Sequence, residues 1–298
     1  VNHNGYAWWY IDALSDDGVH GLTMIAFIGS VFSPYYAWAR RRVPADPRNH
    51  CALNVALYGP RAKRWSMTER GAGSLSRGAH FLSIGPSHLV WDGTVLTAHI
   101  QEVAVPFPRR IHGTVRLTPL AVENRVRLLD VDGRHRWQPI APCADIEVAL
   151  TGPNLSWRGR AYFDTNTGDR PLEHDFRYWT WSRSADRAGT TVYYDVTPWT
   201  HGPPRRLAMR YDATGGVTDL EPVAPASLQK TRWGIPRTIG TNRVPKLLAT
   251  WEDTPFYARS IVGLQDKTTV AVHETLSLER FRAPWVRAML PFRMPRVP

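Results

Sequence analysis

The sequence predicts an all-β fold of many short antiparallel strands, and three observations carry that prediction. Runs rich in β-branched and aromatic residues are broken at three places by an Asp-Gly pair, the strongest short signal of a hairpin turn. Proline and glycine, 24 and 22 residues, are spread along all 298 positions, which suits frequent turns and disfavours long helices. Aromatics are heavy, with 13 Trp, 11 Tyr and 9 Phe, and large flat side chains favour strand faces and ligand cavities alike.

The elements follow in order. Residues 7–12 lead through Asp16-Asp17-Gly18 into 22–28, a hairpin. Residues 51–58 form a continuous β-rich run. Residues 88–99 repeat the hairpin pattern around Asp92-Gly93, and 126–137 repeat it around Asp132-Gly133. Further strands are expected at 112–117, 146–150, 160–163, 176–181, 191–196 and 208–211, then at 247–251, 259–262 and 269–278. So many strands with short turns mean a sandwich or barrel. The turn cluster Thr151-Gly152-Pro153-Asn154 falls near the midpoint and leaves halves of single-barrel size, so domains are expected at 1–150 and 151–282. A basic, aromatic tail, 283–298, should follow. Its apolar and arginine residues suit either a bilayer surface or packing on its own barrel, and its prolines exclude a long amphipathic helix.

The formal net charge is +11, almost all of it from arginine, because lysine occurs only at positions 63, 230, 246 and 267. Nucleic acid, an anionic membrane and an acidic substrate are the partners such charge can serve, and so can a codon bias toward arginine. Arg40-Arg41-Arg42 is too short for a nucleic-acid stripe, so no nucleic-acid partner is expected. Cys51 and Cys143 make no metal or redox spacing and fit a reducing compartment. No secretory pattern opens the chain, and with no initial Met some native N-terminal sequence is expected to precede it. The longest apolar run, 21–32, is shorter than the ~20 residues of a spanning helix, so no membrane span is expected.

Nucleophile elbows, phosphate loops and dinucleotide fingerprints are absent, and the 11 histidines show no metal-ligand spacing. No cofactor is expected; chemistry must come from ordinary acids, bases and aromatic walls. On a strand, His135 and Trp137 share one face while Arg134 and Arg136 share the other. Tyr162, Asp164 and Asn166 likewise share a face. A carboxyl group beside an aromatic and partly desolvated keeps its proton and can act as a general acid; the same three residues also suit a solvated face ending in a turn. Trp8, Tyr10 and Asp12 share a face. Trp179 pairs with Trp181 and Tyr193 with Asp195, which makes these four the expected substrate-binding residues, with Asp195 as reserve acid; a plain aromatic core is the other reading. His273-Glu274 reads as structural.

Several segments resemble the carotenoid 1,2-hydratases, also called hydroxyneurosporene synthases. They are Trp9-Tyr10-Ile11-Asp12-Ala13-Leu14-Ser15-Asp16-Asp17-Gly18, Ala26-Phe27-Ile28-Gly29-Ser30-Val31-Phe32-Ser33-Pro34-Tyr35-Tyr36, Arg160-Ala161-Tyr162-Phe163-Asp164-Thr165-Asn166, Tyr178-Trp179-Thr180-Trp181-Ser182-Arg183 and His273-Glu274-Thr275-Leu276-Ser277-Leu278. The resemblance implies two tandem lipocalin-like antiparallel β-barrels and cofactor-independent hydration of the terminal C1=C2 bond of acyclic carotenoids. It also implies functional His-x-Trp and Tyr-x-Asp pairs, matched here by His135/Trp137 and Tyr162/Asp164. On that reading Asp164 protonates C2, Trp137 and Tyr162 face the tertiary cation, and His135 accepts the proton of the attacking water. Carotenoid and water are the expected partners, at the cytoplasmic side of the inner (intracytoplasmic) membrane of a photosynthetic bacterium, peripherally bound. A prenyl cyclase resembling tocopherol cyclase and a non-catalytic carotenoid or lipid carrier are the competing readings.

Overall fold

The computed structural model describes residues 1–199, 202–264 and 269–297, and strands dominate them. The all-β expectation holds. The chain divides into two compact units, Val1–Pro171 with Ala288–Pro298 and Leu172–Arg287.

The first unit contains β1 (Tyr6–Ser15), β2 (Gly21–Ile28), β3 (Cys51–Tyr58), β4 (Arg64–Arg70), β5 (Leu75–Arg77) and β6 (Phe81–Ile84). It continues with β7 (Ser87–Trp91), β8 (Leu96–Val103), β9 (Arg110–Pro119), β10 (Arg127–Leu128), β11 (His135–Gly152) and β12 (Asn154–Gly168). A C-terminal strand, β22 (Arg296–Val297), returns to it after the second unit. These form one 13-stranded sheet in the order β22-β4-β3-β2-β1-β12-β11-β9-β8-β7-β6-β5, with β10 on β11. Every pairing is antiparallel except β22 on β4. The sheet curls until β4 and β8 approach one another. Its concave side holds an apolar core that includes Ile11, Leu22, Val55, Ile100, Val115, Ile146 and Ala161.

The three Asp-Gly turns form as expected, and each glycine takes a positive φ: +69° at Gly18, +102° at Gly93 and +66° at Gly133. The Thr151–Asn154 turn joins β11 to β12 inside the first unit, where Thr151 opposes Asn154; the units part at Pro171–Leu172. A cluster of turn formers marks a hairpin whether or not a domain ends there. Strand β4, whose apolar alternation is limited to Trp65 and Met67, and the short strands β5 and β6 are not among the strands expected from the sequence.

The second unit contains β13 (Phe176–Asp186), β14 (Gly189–Pro198), β15 (Arg205–Asp212), β16 (Val217–Asp219), β17 (Pro225–Leu228) and β18 (Arg237–Gly240). It ends with β19 (Pro245–Asp253), β20 (Tyr257–Leu264) and β21 (Thr269–Ser277). Seven strands pair in the order β16-β15-β14-β13-β21-β20-β19, and β17-β18 forms a separate ribbon. The ribbon packs on that sheet through Arg237, whose guanidinium donates to Ser260 Oγ at 2.9 Å and Thr250 Oγ1 at 3.0 Å. His273 Nε2 donates to the Thr238 carbonyl at 2.9 Å.

Strand contact in the first unit leaves no space for a side chain at Gly159, where an added Cβ would lie 2.0 Å from the Leu14 carbonyl oxygen of β1. Gly159→Ala is expected to cost about 2–4 kcal/mol, since backbone on both strands must shift. Gly73→Ala, which meets nothing within 4 Å, should leave thermal unfolding followed by circular dichroism unchanged.

Candidate active site

β12 lies between β1 and β11, and their register decides which side chains meet. Asp164 opposes Tyr10 and Pro139, Asn166 opposes Trp8 and Trp137, and Gly168 opposes Tyr6 and His135. Tyr162 opposes Asp12. Directly opposed residues share a side of the sheet, so all of these line its convex face, away from the apolar core. Along β12 that face changes character: Ser156, Arg158 and Arg160 are exposed, whereas Tyr162, Asp164 and Asn166 are buried. On β11 two register shifts, between Pro139 and Ala141 and between Ala141 and Ala144, each exchange the faces, so that Ala141 between them turns to the core. Before them His135 and Trp137 serve the convex face; beyond them Ala144, Ile146 and Val148 serve the core.

Asp164 Oδ2 accepts two hydrogen bonds, from Trp137 Nε1–H at 2.7 Å and from the Tyr162 hydroxyl at 2.8 Å. Asp164 is 3% exposed, and both donors are 0% exposed. An indole N–H can only donate, so Oδ2 acts as acceptor toward Trp137 whatever the protonation state. A carbonyl oxygen accepts better than a hydroxyl oxygen, so in the neutral carboxyl these two donors favour the proton on Oδ1. Tyr10 meets the Tyr162 ring edge-on at 6.4 Å.

His135 is also fully buried, with Nδ1 2.9 Å from the Tyr6 hydroxyl and its ring stacked on Tyr6 at 5.8 Å. Tyr6 stacks in turn on Trp8 at 4.9 Å. The partner of His135 on β12 is Gly168, four positions beyond Asp164, or about 13 Å along an extended strand. Three of the four expected catalytic residues thus form one hydrogen-bonded group, and His135 joins the same face further along. The sequence reading missed Tyr6, which continues the alternation of Trp8 and Tyr10 by one more step.

The four expected substrate-binding residues do not form one surface. Across β13 and β14, Trp181 opposes Tyr194 and Trp179 opposes Val196, whereas Tyr193 opposes Ser182 and Asp195 opposes Thr180. Trp179 and Trp181 therefore face one side, and Tyr193 and Asp195 the other. Alternation within each strand was legible in the sequence; the register between strands was not. His273 and Glu274 also part: Glu274 pairs with Arg259 across β20 and β21, and His273 turns toward Ser260 and the ribbon. Burial pushes the His273 imidazole down to about 4. Among the described residues, no group of three or more His, Cys, Asp or Glu is placed to hold a metal ion. A cavity of about 650 Å³ in the first unit, lined by Arg70, Glu102 and His112 among others, shares no residue with the Asp164 group.

Fold and site together define a β-sheet protein that carries a buried carboxyl group on a wall of aromatic rings. The comparisons make the class particular. Residues 24–298 match the family model of carotenoid hydratase CrtC, and the chain belongs to that family. It is 53% identical to the acyclic carotenoid 1,2-hydratase of Thiocapsa roseopersicina, over 100% of this chain and 74% of the relative. It is 52% identical to that of Rubrivivax gelatinosus, over 99% of this chain and 74% of the relative. Among solved structures, a protein of Nitrosomonas europaea described as a candidate AttH superposes with a TM-score of 0.60 at 13% identity, covering 92% of both chains. That likeness concerns the fold alone.

Burial pushes the Asp195 carboxyl up to about 6, against a smaller lowering by Arg206. Because the folded group keeps its proton where the unfolded one, at 3.8, has lost it, stability falls as pH rises from 3.8 to about 6. Asp195→Asn should therefore melt above the wild type at pH 7, with the difference closing below pH 4; thermal unfolding across that range checks it.

Proposed function

We propose that this chain adds water across the terminal C1=C2 double bond of acyclic carotenoids such as neurosporene or lycopene, giving 1-hydroxy carotenoids. Membership of the carotenoid hydratase family supports the reaction, and the Asp164 group supports its chemistry. We also infer that each unit is a lipocalin-like barrel; the curl of the 13-stranded sheet and the ribbon packed on the seven-stranded one support that reading.

The reacting alkene is a weak base, so protonation is the difficult step. Burial disfavours the ionised carboxyl, and the proposed acid is Asp164 in its neutral form. The hydrogen bonds from Trp137 and Tyr162 favour the anion that forms when the proton leaves, and they stand in place beforehand, so little reorganisation is needed. A bond to a charged acceptor is worth about 1.5–3 kcal/mol against about 1 kcal/mol for a neutral one. Both bonds therefore strengthen as the acid ionises.

In the proposed cycle the π electrons take the Oδ1 proton onto C2, which leaves a tertiary cation at C1 and a carboxylate on Asp164. The rings of Trp137 and Tyr162 can each lend about 2 kcal/mol to a desolvated cation. Water bonds to C1 through an oxygen lone pair, and its surplus proton returns to Asp164, which closes the balance. His135 was expected to take that proton. Its register with Gly168 and its contact with Tyr6 favour a different part, holding the aromatic wall in place.

The test is turnover of lycopene in H₂¹⁸O, read by mass spectrometry. Wild type should yield the ¹⁸O-labelled 1-hydroxy product, and Asp164→Asn should yield none. Trp137→Phe and Tyr162→Phe should each slow turnover about 10- to 100-fold, and His135→Gln should retain measurable activity. An unlabelled cyclic product, or bound pigment whose mass never rises by one water, would overturn the reading.

A further inference from the structure

Three segments of the first unit meet at one surface. They are the turn at 59–64 between β3 and β4, the loop at 104–109 between β8 and β9, and the chain from 288 to 297. Val105 N–H donates to the Trp65 carbonyl at 2.9 Å, Arg64 donates to the Arg110 carbonyl, and the Arg293 guanidinium lies 4.7 Å from the Trp65 ring centre. The returning chain is pinned: Leu290 and Met294 are buried, Glu69 N–H donates to the Pro295 carbonyl at 2.9 Å, and Arg296 pairs with Glu69.

Between these anchors Phe292 stands 81% exposed, and in the neighbouring loop Phe107 is 74% exposed. Pro106 and Pro108 flank Phe107 and restrict its backbone. Holding it out therefore costs little further ordering on contact. Scattered exposed apolar residues are ordinary; two phenylalanines held in water on joined segments are not.

The charges decide the occupant. The ionisable residues from 59 to 64, from 104 to 110 and from 288 to 297 are Arg61, Lys63, Arg64, Arg109, Arg110, Arg293 and Arg296, all basic. On the strands that carry these segments the carboxylates are buried and engaged, Glu69 by His50 and Arg296, and Glu102 by Arg70 and Ser87; the exposed Asp16 and Asp17 lie in the turn beside Gly59, at the edge of the basic cluster. Burial, and next the charge of Arg109, lower the pKa of Arg64. The cluster thus repels itself in the free protein, and that repulsion is relieved when anions arrive. Val103, Arg110, His112 and Val297 also line the 650 Å³ cavity, which opens beside this surface and gives it depth.

We propose that this surface is a docking site for an anionic lipid bilayer, with Phe107 and Phe292 inserted at the headgroup level and the surrounding arginines on lipid phosphates. Choosing a bilayer rests on the hydratase reading, since a long hydrocarbon substrate dissolves there. A nucleic acid would satisfy the arginines but offers no apolar phase to two isolated phenylalanines. Interfacial binding needs both an apolar element and a basic one.

The experiment is co-sedimentation of the full chain with vesicles of phosphatidylcholine alone or mixed with phosphatidylglycerol. Wild type should pellet with the mixed vesicles, far less with phosphatidylcholine alone, and less as salt rises. Arg109→Gln with Arg110→Gln should weaken partitioning about 30-fold, roughly fivefold per arginine. Phe107→Ser with Phe292→Ser should weaken it at least about tenfold. Val131→Ser, at a residue 95% exposed between Asp130 and Asp132, should change nothing. Turnover of detergent-dispersed lycopene should survive in every variant. A wild type that stays in the supernatant with both vesicle types overturns the proposal, as do surface variants that pellet like wild type. Absence of turnover in every protein would instead count against the hydratase reading, because sedimentation is read without it.

Discussion

Two aromatic donors meeting one buried carboxylate oxygen is the constraint on which the first unit's site depends. Asp164 Oδ2 can receive both Trp137 and Tyr162 only if β11 and β12 hold a single register, because a slip of one residue would turn Trp137 away from the convex face. The curled sheet secures that register. β12 is paired with β11 from Asn154 onward and with β1 from Gly159 to Gly168, and the apolar core beneath it binds Ala161 on one side of the chain while Tyr162 and Asp164 point to the other. A carboxyl group in such surroundings is costly if left without donors, and here two are supplied.

β11 is long and irregular where its faces change duties. Its first residues deliver His135 and Trp137 to the convex face, and its later ones fill the core with Ala144, Ile146 and Val148. Two register shifts lie between them, one between Pro139 and Ala141 and one between Ala141 and Ala144. Each adds a residue and exchanges the faces, so the pair restores the original alternation, and Ala141 between them meets the core opposite Phe163.

The second unit uses buried polar groups differently. Arg237 fastens the β17-β18 ribbon to the sheet through Ser260 and Thr250, and the neutral His273 imidazole donates to the backbone of Thr238. These side chains meet partners within the unit and tie one layer to another. In the first unit two aromatic donors converge on the Asp164 carboxyl; in the second these groups run along a seam.

The sequence by itself determined the all-β class, the three Asp-Gly hairpins, the 51–58 strand and the facing of Tyr162 with Asp164 and of His135 with Trp137, because turn chemistry and the two-residue period of a strand are local properties. The same local rule could not tell whether Tyr162, Asp164 and Asn166 meet water or lie buried, since both faces alternate identically. It could not tell that Trp179 and Trp181 face away from Tyr193 and Asp195, because the register between strands is set by hydrogen bonds across the sheet. It could not find Tyr6 behind His135, 129 positions away. Strands β4, β5 and β6 escaped it as well, being polar or short and held by their neighbours more than by their own pattern. Tertiary structure alone brought Trp137 to Asp164, and it alone joined 59–64, 104–109 and 288–297 into one basic surface, because each of those contacts closes a loop that no sequence spacing records.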